Sequence, residues 1–115
     1  MDFSKPAYLY SAEVVKVYDG DTITVIFDVG FNLSFKKQKI RLLGINAPEM
    51  RGETLLAARK SRDWLRKKIL GKTVIIQTFK DTKGKYGRWL GVIHFEGENL
   101  NELLVEADLA VRAEY

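Results

Sequence analysis

Between Tyr8 and Leu43 the chain carries three alternating, β-branched runs with turn residues between them, and nothing else limits its fold as strongly. Tyr8 to Tyr18 reads as a first strand, with Val15 and Val17 alternating against Lys16. Thr22 to Val29 (TITVIFDV) is a second, and Asp19-Gly20 before it is a strong hairpin signal. Gly30 marks the next turn, after which Leu33 to Leu43 forms a third strand carrying Lys36, Lys37, Lys39 and Arg41. Strands this close together pair with their neighbours as the meander of a small barrel.

Asn46-Ala47-Pro48 breaks the strand pattern, because a proline pushes the residue before it out of the helical region. Glu53 to Leu70 then has helical spacing: Leu55, Ala58, Leu65 and Ile69 share a face that Ala57, Ser61 and Trp64 widen, and Gly71 supplies the C-terminal glycine. Thr73 to Phe79 and Arg88 to Phe95 are a fourth and a fifth strand, joined by a basic, glycine-containing loop. Asn99 followed by Glu102 predicts a capping box for a short helix through Ala107, with Leu100, Leu103 and Leu104 facing inward. The expectation is an α+β chain, mainly β: a five-stranded OB-fold barrel with a main helix after strand three and a short C-terminal helix.

The 115 residues fit one domain, 1–115. No apolar run approaches the roughly 18 residues of a membrane span. Met1 to Pro6 lacks the basic and apolar regions of a signal peptide, which favours the cytoplasm, and with no cysteine there is neither a disulfide framework nor a thiolate metal site. Charge is unevenly spread: Arg59 to Arg88 holds eleven Lys/Arg against Asp63 and Asp81, whereas Glu96 to Tyr115 holds six acids against Arg112. A basic run taken alone is a solvated helix face. Joined to residues that could cut a phosphodiester, it suits a nucleic acid.

Those residues fall in three clusters: Asp19-Gly20-Asp21-Thr22, Arg41-Leu42-Leu43-Gly44-Ile45-Asn46-Ala47-Pro48-Glu49, and Lys85-Tyr86-Gly87-Arg88. Asp19-Gly20 is explained by a turn, but a further acid at the start of a strand is not. A carboxylate pair there fits a hard cation, which takes oxygen ligands. Arg41 enters the apolar run Leu42-Leu43-Gly44-Ile45 and so needs an anionic partner. Arg88 stands likewise between a loop and an apolar strand, and guanidinium groups grip phosphate oxygens with a permanent charge. Glu49 taken alone is an acid near a helix start. His94, inside an apolar strand, reads as a core residue.

In this order the clusters resemble the staphylococcal nuclease-like (thermonuclease) family, from about Val14 onward. The resemblance implies the same OB-fold barrel and a metal-dependent endonuclease acting on DNA, RNA or both, with Ca²⁺ as the cation and 3′-phosphates as products. It makes Asp21 a direct metal ligand, Asp19 a supporting carboxylate, and Asn46 and the Ala47 carbonyl further ligands. Glu49 becomes the group that aligns or deprotonates the attacking water. Arg41 and Arg88 become the stabilisers of the charge at phosphorus. Lys85 and Tyr86, with Lys83 beside them, become substrate contacts.

Two departures matter. Asn46 stands where better-known members carry a second metal-binding Asp, so weak Ca²⁺ binding is expected. The family's base-stacking tyrosine has no clean counterpart, since Glu114 falls at or near that position with Tyr115 next to it. The alternative is a nucleic-acid-binding module that keeps the barrel with weakened catalysis; a protein-interaction barrel would leave the arginines and the Asp pair unexplained. A monomer with nucleic acid as partner and no membrane association is the expectation.

Overall fold

The alternating runs become strands because each can turn one row of apolar side chains into a common interior. The computed structural model describes residues 8–81 and 88–113. Along the chain these are β1 (Leu9–Asp19), β2 (Thr22–Asp28), β3 (Ser34–Leu42) and the short β4 (Ile45–Asn46). A 3₁₀ turn, Gly52–Thr54, leads into α1 (Leu55–Ile69), followed by β5 (Thr73–Lys80), β6 (Trp89–Phe95) and the short β7 (Glu98–Asn99). The last elements are α2 (Leu100–Glu106) and the short β8 (Val111–Arg112). Among the described residues no helix is long and apolar enough to cross a membrane.

The sheet runs β3-β2-β1-β5-β6, antiparallel throughout, and closes where β3 meets β6 in parallel, Ile40 opposite Trp89 and Leu42 opposite Gly91. The result is the expected five-stranded mixed barrel with two helices. Its interior is filled by Val14, Val17, Ile23, Val25, Ile40, Leu42, Ile76 and Ile93, all essentially without solvent contact. Gly91 is required at the seam, since a Cβ there would lie 2.7 Å from the Ile40 methyl and 2.9 Å from that of Ile76.

In β1 the structure departs from simple alternation. The pairing with β2 slips between Val14 and Lys16, so Val14 and Val17 point inward and Val15 is exposed. A bulge of this kind bends the strand around a barrel and reverses which residues face in. It also frees Val14 to tie down the end of α1: its N–H donates to the Lys72 carbonyl at 3.0 Å and its carbonyl accepts from Gly71 at 2.8 Å. Gly71 is in the left-handed region, φ 76°, as a helix-ending glycine should be.

α1 lies on the barrel through Ala58, Ser61, Leu65 and Ile69, with Trp64 half-buried beside them. Ala57 is exposed and Leu55 only partly covered, because the helix starts beyond the barrel edge. α2 begins as its sequence predicts, Asn99 accepting from the Glu102 N–H at 3.2 Å. The Glu102 carboxylate, however, reaches Arg112 at 2.7 Å and makes no reciprocal cap. Asn101 was not singled out by the sequence and is fully buried: it donates to the carbonyls of Leu43 (2.9 Å) and Gly91 (3.0 Å) and accepts from Ile93 N–H (3.1 Å). One amide thereby pins α2 across the β3–β6 seam.

Gly20 has a different reason from the one its sequence context suggests. The favoured two-residue hairpin turn needs left-handed backbone, yet neither Gly20 nor Asp21 has a positive φ. Instead a Cβ on Gly20 would lie 1.9 Å from Ser61 Oγ and 2.9 Å from Ala47 Cβ. The glycine lets α1 press against the end of the first hairpin. Gly20→Ala should cost about 1–3 kcal/mol through overpacking. Ser61 Oγ is buried without a hydrogen-bond partner, so Ser61→Ala should match or exceed the wild type in stability and restore part of the loss in the double variant. Urea melts of the four proteins check this; a Gly20→Ala chain as stable as the wild type would remove the packing argument.

Candidate active site

The β1–β2 turn, the end of β3 and the start of β6 meet on one side of the barrel. There they surround a cleft of about 470 Å³ lined by Lys16, Tyr18, Asp19, Asp21, Lys39, Arg41 and Arg88, with the threonines Thr22 and Thr24 on its wall. Asp19, Asp21, Arg41 and Arg88, scattered along the sequence, are thus side by side.

Asp21 is nearly buried and densely held. Its Oδ2 accepts from the Ala47 N–H at 2.8 Å and pairs with Arg41 Nη1 at 3.1 Å, while its Oδ1 accepts from the Thr22 hydroxyl at 3.1 Å. Asp19 Oδ1 accepts from the Asp21 N–H at 3.0 Å. Burial, and then the adjoining Asp21 carboxyl, push the Asp19 pKa up to about 6, against smaller opposing effects from that N–H and from Arg41.

Arg41 is 8% exposed and finds its anion inside the protein. Besides Asp21 it donates to the carbonyls of Ile45 at 3.0 Å and Leu42 at 3.3 Å, and its Nη2 donates to Asn46 Oδ1. The anionic partner that its place in an apolar run calls for is therefore Asp21. β4 is placed for this by pairing with β8, Asn46 opposite Val111, and by the Ala113 N–H donating to Gly44 O at 2.9 Å.

Arg88 is steadied by Asp81, whose carboxylate accepts from Nε at 3.2 Å and is itself 5% exposed. Sequence reading counted Asp81 only as a charge; its proximity to Arg88 across the loop was the available signal. Glu49 stands apart. It is exposed, its carboxylate accepts from Arg51 Nε at 2.9 Å, and its main-chain carbonyl accepts from the Thr54 hydroxyl at 2.6 Å. Arg51, two residues away, was not considered in the sequence. Lys83, Lys85 and Tyr86 lie outside the described residues, as do Glu114 and Tyr115.

Among the described residues no three His, Cys, Asp or Glu side chains cluster as a metal cage. The donors that do meet are hard oxygens: two adjoining carboxylates, with the Ala47 main chain beside Asp21. That set suits a hard divalent ion in kind. It is poor in charge, since the Asn46 oxygen is neutral and engaged by Arg41.

The raised Asp19 pKa has a direct consequence for the metal-free protein. Above its ordinary 3.8 the unfolded chain gives up this proton while the folded chain retains it to about 6. Stability therefore falls as pH rises through that window. Asp19→Asn keeps an oxygen for the Asp21 N–H, so it should stabilise the protein in EDTA at pH 8 and add little at pH 4. Urea melts at the two pH values measure the difference; an equal increment at both would contradict it.

Comparison with known proteins identifies the family. The family model described as staphylococcal nuclease homologue matches residues 39–115, which include Arg41, Asn46, Glu49 and Arg88. The thermonuclease of Staphylococcus hyicus is 30% identical over 101 residues, covering 85% of this chain and 56% of that protein. An uncharacterized endonuclease of Haemophilus influenzae is 30% identical over 100 residues, 87% of this chain and 51% of its own. An uncharacterized protein of Methanocaldococcus jannaschii is 31% identical over 111 residues, 78% and 51% respectively. The chain spans about half the length of the curated relatives it matches. It belongs to the staphylococcal nuclease homologue family.

Proposed function

We propose that this chain is a metal-dependent nuclease that hydrolyses phosphodiester bonds in DNA, RNA or both. The observation that carries the reading is the convergence of Asp19, Asp21, Arg41 and Arg88 on one cleft. Family membership and relatives named as nucleases support it.

Asp21, assisted by Asp19 and the Ala47 carbonyl, would hold the cation, Ca²⁺ by family resemblance, with Asn46 joining only if its oxygen leaves Arg41. Once bound, such an ion polarises a phosphate oxygen and acidifies nearby water. Arg41 and Arg88 draw the scissile phosphate into the cleft and balance the charge that builds on its oxygens. For Arg41 this means sharing donors now directed at Asp21 and Asn46. Glu49 takes the proton of the attacking water after exchanging Arg51 for it. Both members of that pair are mostly exposed, so parting them costs less than about 1 kcal/mol. The new bond to phosphorus forms as the bond to the leaving oxygen breaks; that oxygen takes a proton from solvent and departs as an alcohol, and Glu49 gives its proton back to solvent.

A second reading has specific support: the engagement of Asn46 by Arg41 and the outward position of Glu49 both fit a binding module with weakened catalysis. Plasmid nicking with and without EDTA separates the two. The nuclease should nick only with metal, and Arg41→Ala or Arg88→Ala should each lower the rate at least ~100-fold, the scale for losing one preorganised charge donor. Wild-type rates in both variants would end the catalytic assignment.

Asn46→Asp should strengthen the same site. A second anionic ligand should tighten Ca²⁺ binding about tenfold or more and raise nicking at low metal. Calorimetric titration of both proteins with Ca²⁺, Mg²⁺ and Mn²⁺ checks it. If the variant binds no better and stays inactive, the binding-module reading takes precedence.

A further inference from the structure

The hairpin between β2 and β3 ends in a tip that neither its turn nor the core explains. Gly30 O accepts from the Leu33 N–H at 2.9 Å, which leaves Phe31 and Asn32 as the two central residues of the turn. Both are left-handed, φ 55° and 58°, as in a type I′ turn, where Asn, Asp or Gly is the ordinary occupant. A bulky side chain is rare and costly in that conformation, and Phe31 is 95% exposed, so no packing within the described chain offsets the cost. Leu33 beside it is 61% exposed. Val29 and Phe35, on either side, join Tyr8 in lining an open apolar pocket of about 520 Å³. Cations accompany this apolar end: Lys36 and Lys37 follow the tip on β3, and Lys80 stands on the pocket wall, all three exposed. Asp28, the acid beside the turn, is engaged within it, its Oδ1 accepting from the Gly30 N–H at 2.9 Å.

We propose that this end of the barrel docks on the surface of an anionic lipid bilayer, with Phe31 and Leu33 beneath the headgroups and Lys36, Lys37 and Lys80 among them. Exposed apolar patches mark a protein or a membrane contact, and the charges decide between the two. A self-complementary contact sets the same patch on both sides, so it would bring the lysines of one copy against those of the other. A polyanion would use the lysines and leave the tip in water. A bilayer interface uses both, since apolar side chains sink a few ångströms below headgroups whose negative charge attracts the lysines. The lack of a long apolar helix bears on spanning a membrane and not on resting against one. Thr22, on the wall of the cleft, and Asp28, beside the tip, stand at opposite ends of the seven-residue β2, roughly 20 Å apart at the rise of a strand. Docking by the tip therefore leaves the cleft open to water.

Co-sedimentation with vesicles tests this in EDTA and without nucleic acid, comparing phosphatidylcholine alone with an equal mixture of phosphatidylcholine and phosphatidylserine. The protein should partition onto the mixed vesicles at least about tenfold more strongly, since each lysine near an anionic surface contributes severalfold. Phe31→Asn suits the left-handed turn and should fold at least as well as the wild type. It should nevertheless weaken partition about tenfold or more, the scale for leaving one large apolar side chain out of the interface, whereas Phe31→Leu should keep most of the binding. Lys36→Gln with Lys37→Gln should remove much of the preference for the mixed vesicles. Failure of the wild type to bind them overturns the proposal. So does binding that Phe31→Asn leaves unchanged, which would assign it to basic surface elsewhere, such as α1. A wild-type dimer in sedimentation velocity that Phe31→Asn converts to monomer would assign the tip to a second copy and likewise overturn it.

Discussion

A guanidinium that enters an apolar strand must bring its compensation with it, and Arg41 organises one end of the barrel for that reason. Its donors reach the Asp21 carboxylate, the main-chain carbonyls of Leu42 and Ile45, and the Asn46 amide. Removing one partner from a buried pair of this kind commonly costs several kcal/mol, because the survivor is left charged in a poor solvent. The start of β2, the end of β3 and β4 are consequently held in one arrangement. The same contacts aim the arginine at the cleft, where its charge is kept in place by the Asp21 carboxylate.

Much of the fold could be read in the sequence because its determinants are local. Alternation gave the strands, 3.6-residue spacing gave α1, and Asn99 and Gly71 marked helix ends. What could not be read depends on distant neighbours. Val15 looks as inward as Val17 until the bulge after Val14 reverses the face. Gly20 looks like a turn residue until Ser61 and Ala47 occupy the space a side chain would need. Asn101 is an ordinary polar residue on a helix until the Leu43 carbonyl just past β3 and two main-chain groups of β6 are brought around it.

The cleft divides the same way. The acids and arginines were recognisable by type and order, and chain folding brings four of them together. Their present partners were not recognisable. Asp81 on Arg88, Asn46 on Arg41 and Arg51 on Glu49 are side-chain pairings with no periodic signature. All three hold a group that the proposed catalysis would use, so a phosphate entering the cleft would compete with internal partners for the arginines.

The parallel seam between β3 and β6 has a meaning for how the chain acquires any chemistry at all. Every other pairing in the barrel is antiparallel; this one, like that of β1 with β5, joins strands remote in sequence, with β4, α1 and β5 lying between Leu42 and Gly91 in the chain. Contacts so remote in sequence form late and slowly. Arg41 lies on one side of the seam and Arg88 on the other, so the two guanidinium groups share a cleft only once the barrel is closed. A nascent or partly unfolded chain carries all the charges of the cleft and none of its geometry.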